Sequence, residues 1–268
     1  MGLFRQRKRG KGQTVLITGA SGGIGEALAR TFAIGGFNLI LVARSADALQ
    51  KLAGDLAGAH GVFAEAIAHD LGTPGAGAGL MQKLGEKTEK VDVLINNAGF
   101  GLIGDFAEQN EARILGMIDL NVRVLTELCR SFLPRMKARG AGGIINIAST
   151  ASYQSGPYMA VYYASKAFVR SLSEALNEEM RGTGVHVMSV CPGPVRTGFQ
   201  SAAHMDESIG LLRLVPAMSA QQVAKETYNA YFARRRTYIP GWINWFMAMS
   251  ASVTPTGIML RLVRSLQT

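Results

Sequence analysis

Between residues 13 and 238, short apolar runs rich in branched residues alternate with longer stretches in which apolar residues return every three or four positions. The short runs predict strands and the longer ones amphipathic helices. Strands are expected over residues 13–18, 38–43, within 62–71, within 91–99, over 143–148 and over 185–190. Helical patterns follow at 26–33 and at 160–181. Strands that alternate with helices build a parallel sheet covered on both faces, a doubly wound α/β fold. No linker interrupts the pattern, so residues 13–240 are expected to form a single domain between a basic tail (1–12) and an apolar C-terminal extension (241–268).

The first strand runs into Gly19-Ala20-Ser21-Gly22-Gly23-Ile24-Gly25 and then a helical pattern. Strand, glycine turn and helix form the opening unit of a dinucleotide fold, with the pyrophosphate at the helix N-terminus. The spacing is G-x-x-x-G-x-G, not the commoner G-x-G-x-x-G. At the end of the second strand an NAD site would place a carboxylate for the ribose hydroxyls. Ala43 and Arg44 stand there instead, and a guanidinium suits a 2′-phosphate, which favours NADP(H). Asp70, at the end of the third strand, can accept from an adenine amino group or cap the next helix. Asn96-Asn97-Ala98-Gly99 closes the fourth strand, with small residues that let backbone approach a cofactor. Residues 72–79, rich in glycine, read as a flexible loop.

The candidate chemistry lies further on. Tyr162 and Lys166 are four apart, one turn from each other on a helix face, and Ser149 stands thirteen residues before Tyr162. A phenol titrates near ~10. A neighbouring ammonium favours the phenolate and lowers that value. A serine hydroxyl beside the pair can hold a carbonyl or alcohol oxygen. Together the three groups can protonate an alkoxide or deprotonate an alcohol.

Four motifs now stand in order: Thr18-Gly19-x3-Gly23-x-Gly25, Asn96-Asn97-Ala98-Gly99, Ser149 with Tyr162 and Lys166, and Cys191-Pro192-Gly193-Pro194-Val195-Arg196-Thr197. The chain resembles a short-chain dehydrogenase/reductase of the single-domain type over roughly residues 13–240. The resemblance implies a Rossmann-like, mostly parallel sheet of seven strands. It implies Tyr162 as acid/base, Lys166 as the group that tunes it and holds the nicotinamide ribose, and Ser149 as the group that orients the substrate oxygen. Asn121 resembles an asparagine that kinks a helix and holds a water for proton relay. Gly19, Ser21, Gly22, Gly23, Ile24, Gly25, Asn97, Ala98 and Gly99 match cofactor positions. Asp70 and Leu71 fall around the adenine. Val195 and Thr197 fall at the nicotinamide carboxamide, with Pro192 and Gly193 in the same motif. Hydride transfer from the pro-S face and homo-oligomers built through the helices of Asn121 and Tyr162 are further implications. One departure bears on the cofactor: many NADP(H) members carry a basic residue where this chain has Gly22, which leaves Arg44 as the visible phosphate partner. A non-catalytic nucleotide sensor or membrane-associated scaffold of the same fold is the rival reading, and the intact trio argues against it.

Composition adds the surroundings. Cys129 and Cys191 are far apart and make neither a disulfide framework nor a C-x-x-C centre, which suits a reducing, cytoplasmic compartment. The four histidines have no metal-ligand spacing, so no metal is expected. The net charge is +9, and Arg5, Arg7, Lys8, Arg9 and Lys11 form a basic tail, taken as solubilising; no nucleic-acid partner is expected. Between Thr237 and Leu260 there is no charged residue. Pro240, Pro255 and Gly257 argue against a membrane span. The stretch is read as a lid or subunit contact; its two tryptophans and basic flanks also fit peripheral membrane contact through residues 240–264. Residues 199–220 fall where a substrate loop belongs. Their apolar side chains, with Phe100, Leu102, Ile103, Tyr153, Tyr158 and Met159, suggest an apolar carbonyl substrate.

Overall fold

The computed structural model describes residues 9–196 and 217–267. Seven parallel strands form the main sheet, with β1 (Thr14–Thr18), β2 (Asn38–Ala43), β3 (Ala64–Ala68), β4 (Val91–Asn96), β5 (Gly142–Ile147), β6 (Val185–Val190) and β9 (Thr237–Tyr238). Their spatial order is β3-β2-β1-β4-β5-β6-β9. A separate parallel pair joins β7 (Val195–Arg196) to β8 (Met218–Ser219). Every pairing in the main sheet is parallel, so each connection crosses over through other structure.

The pleat sorts strand residues to two cores. Val15, Ile17, Leu39 and Leu41 face one way and pack with Leu28 and Phe32 of α1 (Gly23–Ile34), Leu49 of α2 (Ala46–His60) and Val223 of α7 (Ala220–Phe232). Leu16, Ile40 and Val42 face the other way and pack with Leu80 of α3 (Ala76–Leu84), Phe132 of α5 (Leu125–Arg139) and Val169 of α6 (Ala160–Glu179). Both faces are covered, which is why these strands are apolar throughout and do not alternate with polar residues.

Strand order reverses between β1 and β4: β1 to β3 extend one way and β4 to β6 the other. The crevice at that reversal is where such sheets hold ligands. The glycine turn after β1 and Asn97-Ala98-Gly99 after β4 both open onto it.

One detail departs from the sequence reading and two add to it. Residues 72–79 are not all loop, because α3 begins at Ala76, after Gly75 turns the chain at φ +75°. Between α4 (Glu111–Ile118) and α5, residues Asp119–Val124 form a π-helical segment around Asn121, the physical form of the expected kink. The apolar extension is two helices, α8 (Trp242–Val253) and α9 (Thr256–Gln267), separated at Thr254 and Pro255. Among the described residues no helix is long and apolar enough to cross a membrane. At the other end of the chain, the Arg9 guanidinium lies 5.1 Å from the centre of the Phe232 ring.

Candidate active site

The glycine turn is shaped by close contacts. Gly19 and Gly23 adopt φ +65° and +56°, a region L side chains rarely visit. At Gly25 an added Cβ would overlap the Gly19 carbonyl, so helix and turn can approach only without a side chain. Gly22 is different: its backbone is extended and a Cβ there would meet nothing within 4 Å. No side chain caps the start of α1, so its first N–H groups are left for an anion. Thr18, which the sequence reading used only as a motif letter, holds the turn. Its hydroxyl accepts from the Asn97 and Ala98 N–H groups at 3.0 Å each. The Asn97 amide donates to the Thr18 and Gly19 carbonyls at 2.9 and 3.1 Å. Asn97 therefore shapes the turn as well as facing it.

Ser149 follows β5 and begins a short 3₁₀ turn. Its hydroxyl accepts from the Ala151 N–H at 3.1 Å and donates to the Pro192 carbonyl at 3.4 Å. Lys166 is buried, and its Nζ donates to the Ile147 carbonyl at 2.9 Å. That Nζ lies 5.8 Å from the centre of the Tyr162 ring. Asn121 is pinned by the backbone of Phe100, accepting from its N–H at 3.1 Å and donating to its carbonyl at 2.9 Å. It also donates to Ser165 at 3.1 Å, one residue from Lys166.

Electrostatics correct one expectation. The sequence reading has the ammonium pull the phenol down. In the structure burial dominates and pushes Tyr162 up to about 12, with the Ser149 hydrogen bond opposing it. Burial also pushes Lys166 down to about 8. Lys166 spends its hydrogen bond on a carbonyl rather than on the phenol. At neutral pH the pair is a protonated phenol beside an ammonium, which is the proton-donating form.

One cavity of about 700 Å³ gathers most of the predicted residues. Gly19, Ser21, Gly22, Gly23 and Ile24 line one end, with Asn97, Ala98 and Gly99 beside them. Ser149, Tyr162 and Lys166 line the middle, and Pro192, Gly193 and Val195 border it. Asn121 and Gly25 stand behind this wall. Leu71 is in the core, Arg44 is exposed just past β2, and Asp70 accepts from the Gly72 N–H at 2.9 Å; none of the three lines the cavity. Thr197 and residues 199–216 of the expected substrate loop lie outside the described residues. Of the neighbouring apolar residues, Met159 lines the cavity, whereas Tyr153 packs under the Arg170 guanidinium at 4.2 Å.

The apolar C-terminal extension, read from the sequence as a lid or a subunit contact, roofs this cavity. Met247, Ala251, Met259, Leu262 and Leu266 of α8 and α9 line the same cavity. Asn244 is buried there, donating to the Pro240 carbonyl at 2.9 Å and packed so close to Gly193 that a Cβ on the glycine would overlap it. Gln267 donates to Tyr163 at 3.1 Å, tying the end of α9 to the helix of Tyr162. The usable signal was Asn244, a lone amide in an apolar helix.

The sequence profile of the short chain dehydrogenase family matches residues 13–208. A ketoacyl reductase, HetN, of Nostoc sp. is 35% identical over 219 residues, covering 82% of this chain and 75% of its own. A solved short-chain dehydrogenase from Sphingobium yanoikuyae in complex with NADPH is 34% identical with a TM-score of 0.80, covering 92% of this chain and 95% of that one. A short-chain dehydrogenase/reductase from Burkholderia phymatum in complex with NAD is 29% identical with a TM-score of 0.78, covering 92% and 94%. The chain belongs to the short-chain dehydrogenase/reductase family and is an oxidoreductase.

The two glycines give a paired test of the turn. Gly25→Ala is expected to weaken NADPH binding roughly tenfold or more, because a methyl there forces the glycine turn and the helix apart. Gly22→Ala, in open space, is expected to leave it nearly unchanged. Titration of each variant with NADPH, followed by nucleotide fluorescence, checks both; equal losses would contradict the steric account.

Proposed function

We propose that this short-chain dehydrogenase/reductase reduces an apolar carbonyl compound with NADPH, Tyr162 delivering the proton. The observation that carries the proposal is one cavity lined together by Ser149, Tyr162 and buried Lys166, with the glycine turn in the same wall. When bound, the nicotinamide cofactor supplies the hydride. The uncapped start of α1 and the tight Gly19–Gly25 approach fit its pyrophosphate. The hydroxyls of Ser149 and Tyr162 converge on one substrate oxygen. Ser149 orients that oxygen, and the Tyr162 O–H gives it a proton as negative charge develops. The Lys166 ammonium stabilises the phenolate left behind. Asn121 holds the Phe100 backbone and Ser165 in place around that pair.

NADPH is favoured over NADH on the strength of Arg44, and the NADPH-bound relative supports the choice, while the NAD-bound one shows that the family accommodates both. The methionines and leucines of the roof favour an acyl or steroid-like carbonyl, and the ketoacyl reductase relative supports the acyl reading. Self-association through the helices of Asn121 and Tyr162 is supported by exposed Leu115, Ile118 and Phe168 on them.

Tyr162→Phe is expected to lower kcat roughly a hundredfold or more while NADPH binding persists. Steady-state turnover with a nucleotide titration on the same sample checks this; near-normal turnover would remove Tyr162 from the chemistry. The pH dependence follows from the direction of each shift. Lys166 carries its charge below about 8 and loses it above, so the reductive rate is expected to fall as pH rises through that value. A level rate across that range would contradict it. Arg44→Ala is expected to weaken NADPH binding roughly tenfold or more and NADH binding hardly at all; parallel titrations with both nucleotides distinguish this from a general loss.

A further inference from the structure

Helices α8 and α9 turn an unusual face outward. On α8 the inward residues are Asn244, Ala248 and Ala251, all buried. Trp242, Trp245, Phe246 and Val253 point away from them, with Trp242 79% and Val253 83% exposed. On α9, Ile258 and Leu262 are exposed as well. Of the fourteen large apolar side chains exposed among the described residues, eight lie between residues 242 and 262. That is concentration in one segment, not the scatter of an ordinary surface.

The charge of the C-terminal segment has one sign. From Thr237 to Thr268 the chain has no aspartate or glutamate, while α9 carries exposed Arg261 and Arg264. Both arginines line an open recess of about 410 Å³ with Pro157, Tyr158 and Leu260. A second copy packed two-fold on this face would set two segments without carboxylates against each other. An anionic lipid surface answers both features. Tryptophan rings settle at headgroup level, apolar side chains reach the acyl boundary, and guanidiniums meet phosphate. Each helix has twelve residues, too short to cross, so both would lie in the plane.

The face also borders the cavity. Phe246, Met247 and Leu262 are exposed and line it at the same time, so they form its rim. We propose that α8 and α9 dock on an anionic lipid surface, setting the rim of the cavity against the lipid. The docking stands by itself; that an apolar substrate reaches the site from the lipid rests on the reductase reading above.

The chain's two tryptophans, Trp242 and Trp245, are both on this face, so its tryptophan emission reports on the face alone. The full-length protein is mixed with vesicles of phosphatidylcholine, with or without phosphatidylglycerol. The expected result is a blue shift and co-flotation with the phosphatidylglycerol vesicles, lost at high salt. Arg261→Glu is expected to weaken that binding roughly tenfold or more. The double variant Trp242→Ser, Trp245→Ser is expected to stop floating while keeping its helical circular dichroism and NADPH binding. No shift and no flotation would overturn the proposal. So would binding indifferent to phosphatidylglycerol, or a concentration-dependent dimer that the double variant abolishes without any vesicle binding. Failure of reductase activity with vesicle binding intact would reject the reductase reading and leave the docking standing.

Discussion

A buried polar ladder sets the geometry on which the site depends. The Asn96 amide at the end of β4 donates to Asn146 on β5 at 2.8 Å, and Asn146 donates to Ser173 on α6 at 2.9 Å. All three side chains are buried. Leaving any of them unpaired costs about 1–3 kcal/mol, so the two strands and the helix are held in one register. That register places the chemistry. Asn97 follows Asn96, Ser149 is three residues past Asn146, and Lys166 is two helical turns before Ser173. The bond from Lys166 to the Ile147 carbonyl closes the same arrangement from the other side.

The frame then divides the labour along the crevice. Glycine contacts and an uncapped helix start shape the cofactor end, where backbone matters more than side chains. Side-chain hydroxyls and a buried ammonium shape the reacting end. The C-terminal helices supply a third component, an apolar roof that meets the surface on its far side. Burial sets the protonation state of this trio. It raises the phenol, which keeps its proton at neutral pH, and lowers Lys166 to about 8.

Much of this was legible in the sequence. Strands buried on both faces are short and apolar throughout, so 38–43 and 185–190 match β2 and β6 residue for residue. The glycine turn and the Ser149, Tyr162 and Lys166 spacing are local patterns, and local patterns survive folding. The roof was legible only as an apolar extension fit for a lid or a subunit contact; which face it turns inward was not, for a physical reason. Helix α8 turns alanines inward and tryptophans outward, the reverse of the usual amphipathic rule, because its inner face must pack closely against Gly193 and the 3₁₀ turn after Ser149. An apolar run with no polar face gives no clue to which side is inside. The direction of the Tyr162 shift was missed for a related reason: a neighbouring charge can be read from spacing, but burial requires the fold.

The central claim is that this cavity reduces an apolar carbonyl. Its most direct test is NADPH oxidation by the purified full-length protein against ketones, aldehydes and 3-oxoacyl thioesters of increasing chain length. The account predicts turnover confined to apolar members, rising as the chain fills the space beneath α8 and α9. Tight NADPH binding with no turnover across the whole series would contradict it and recast the protein as a nucleotide-binding sensor or scaffold.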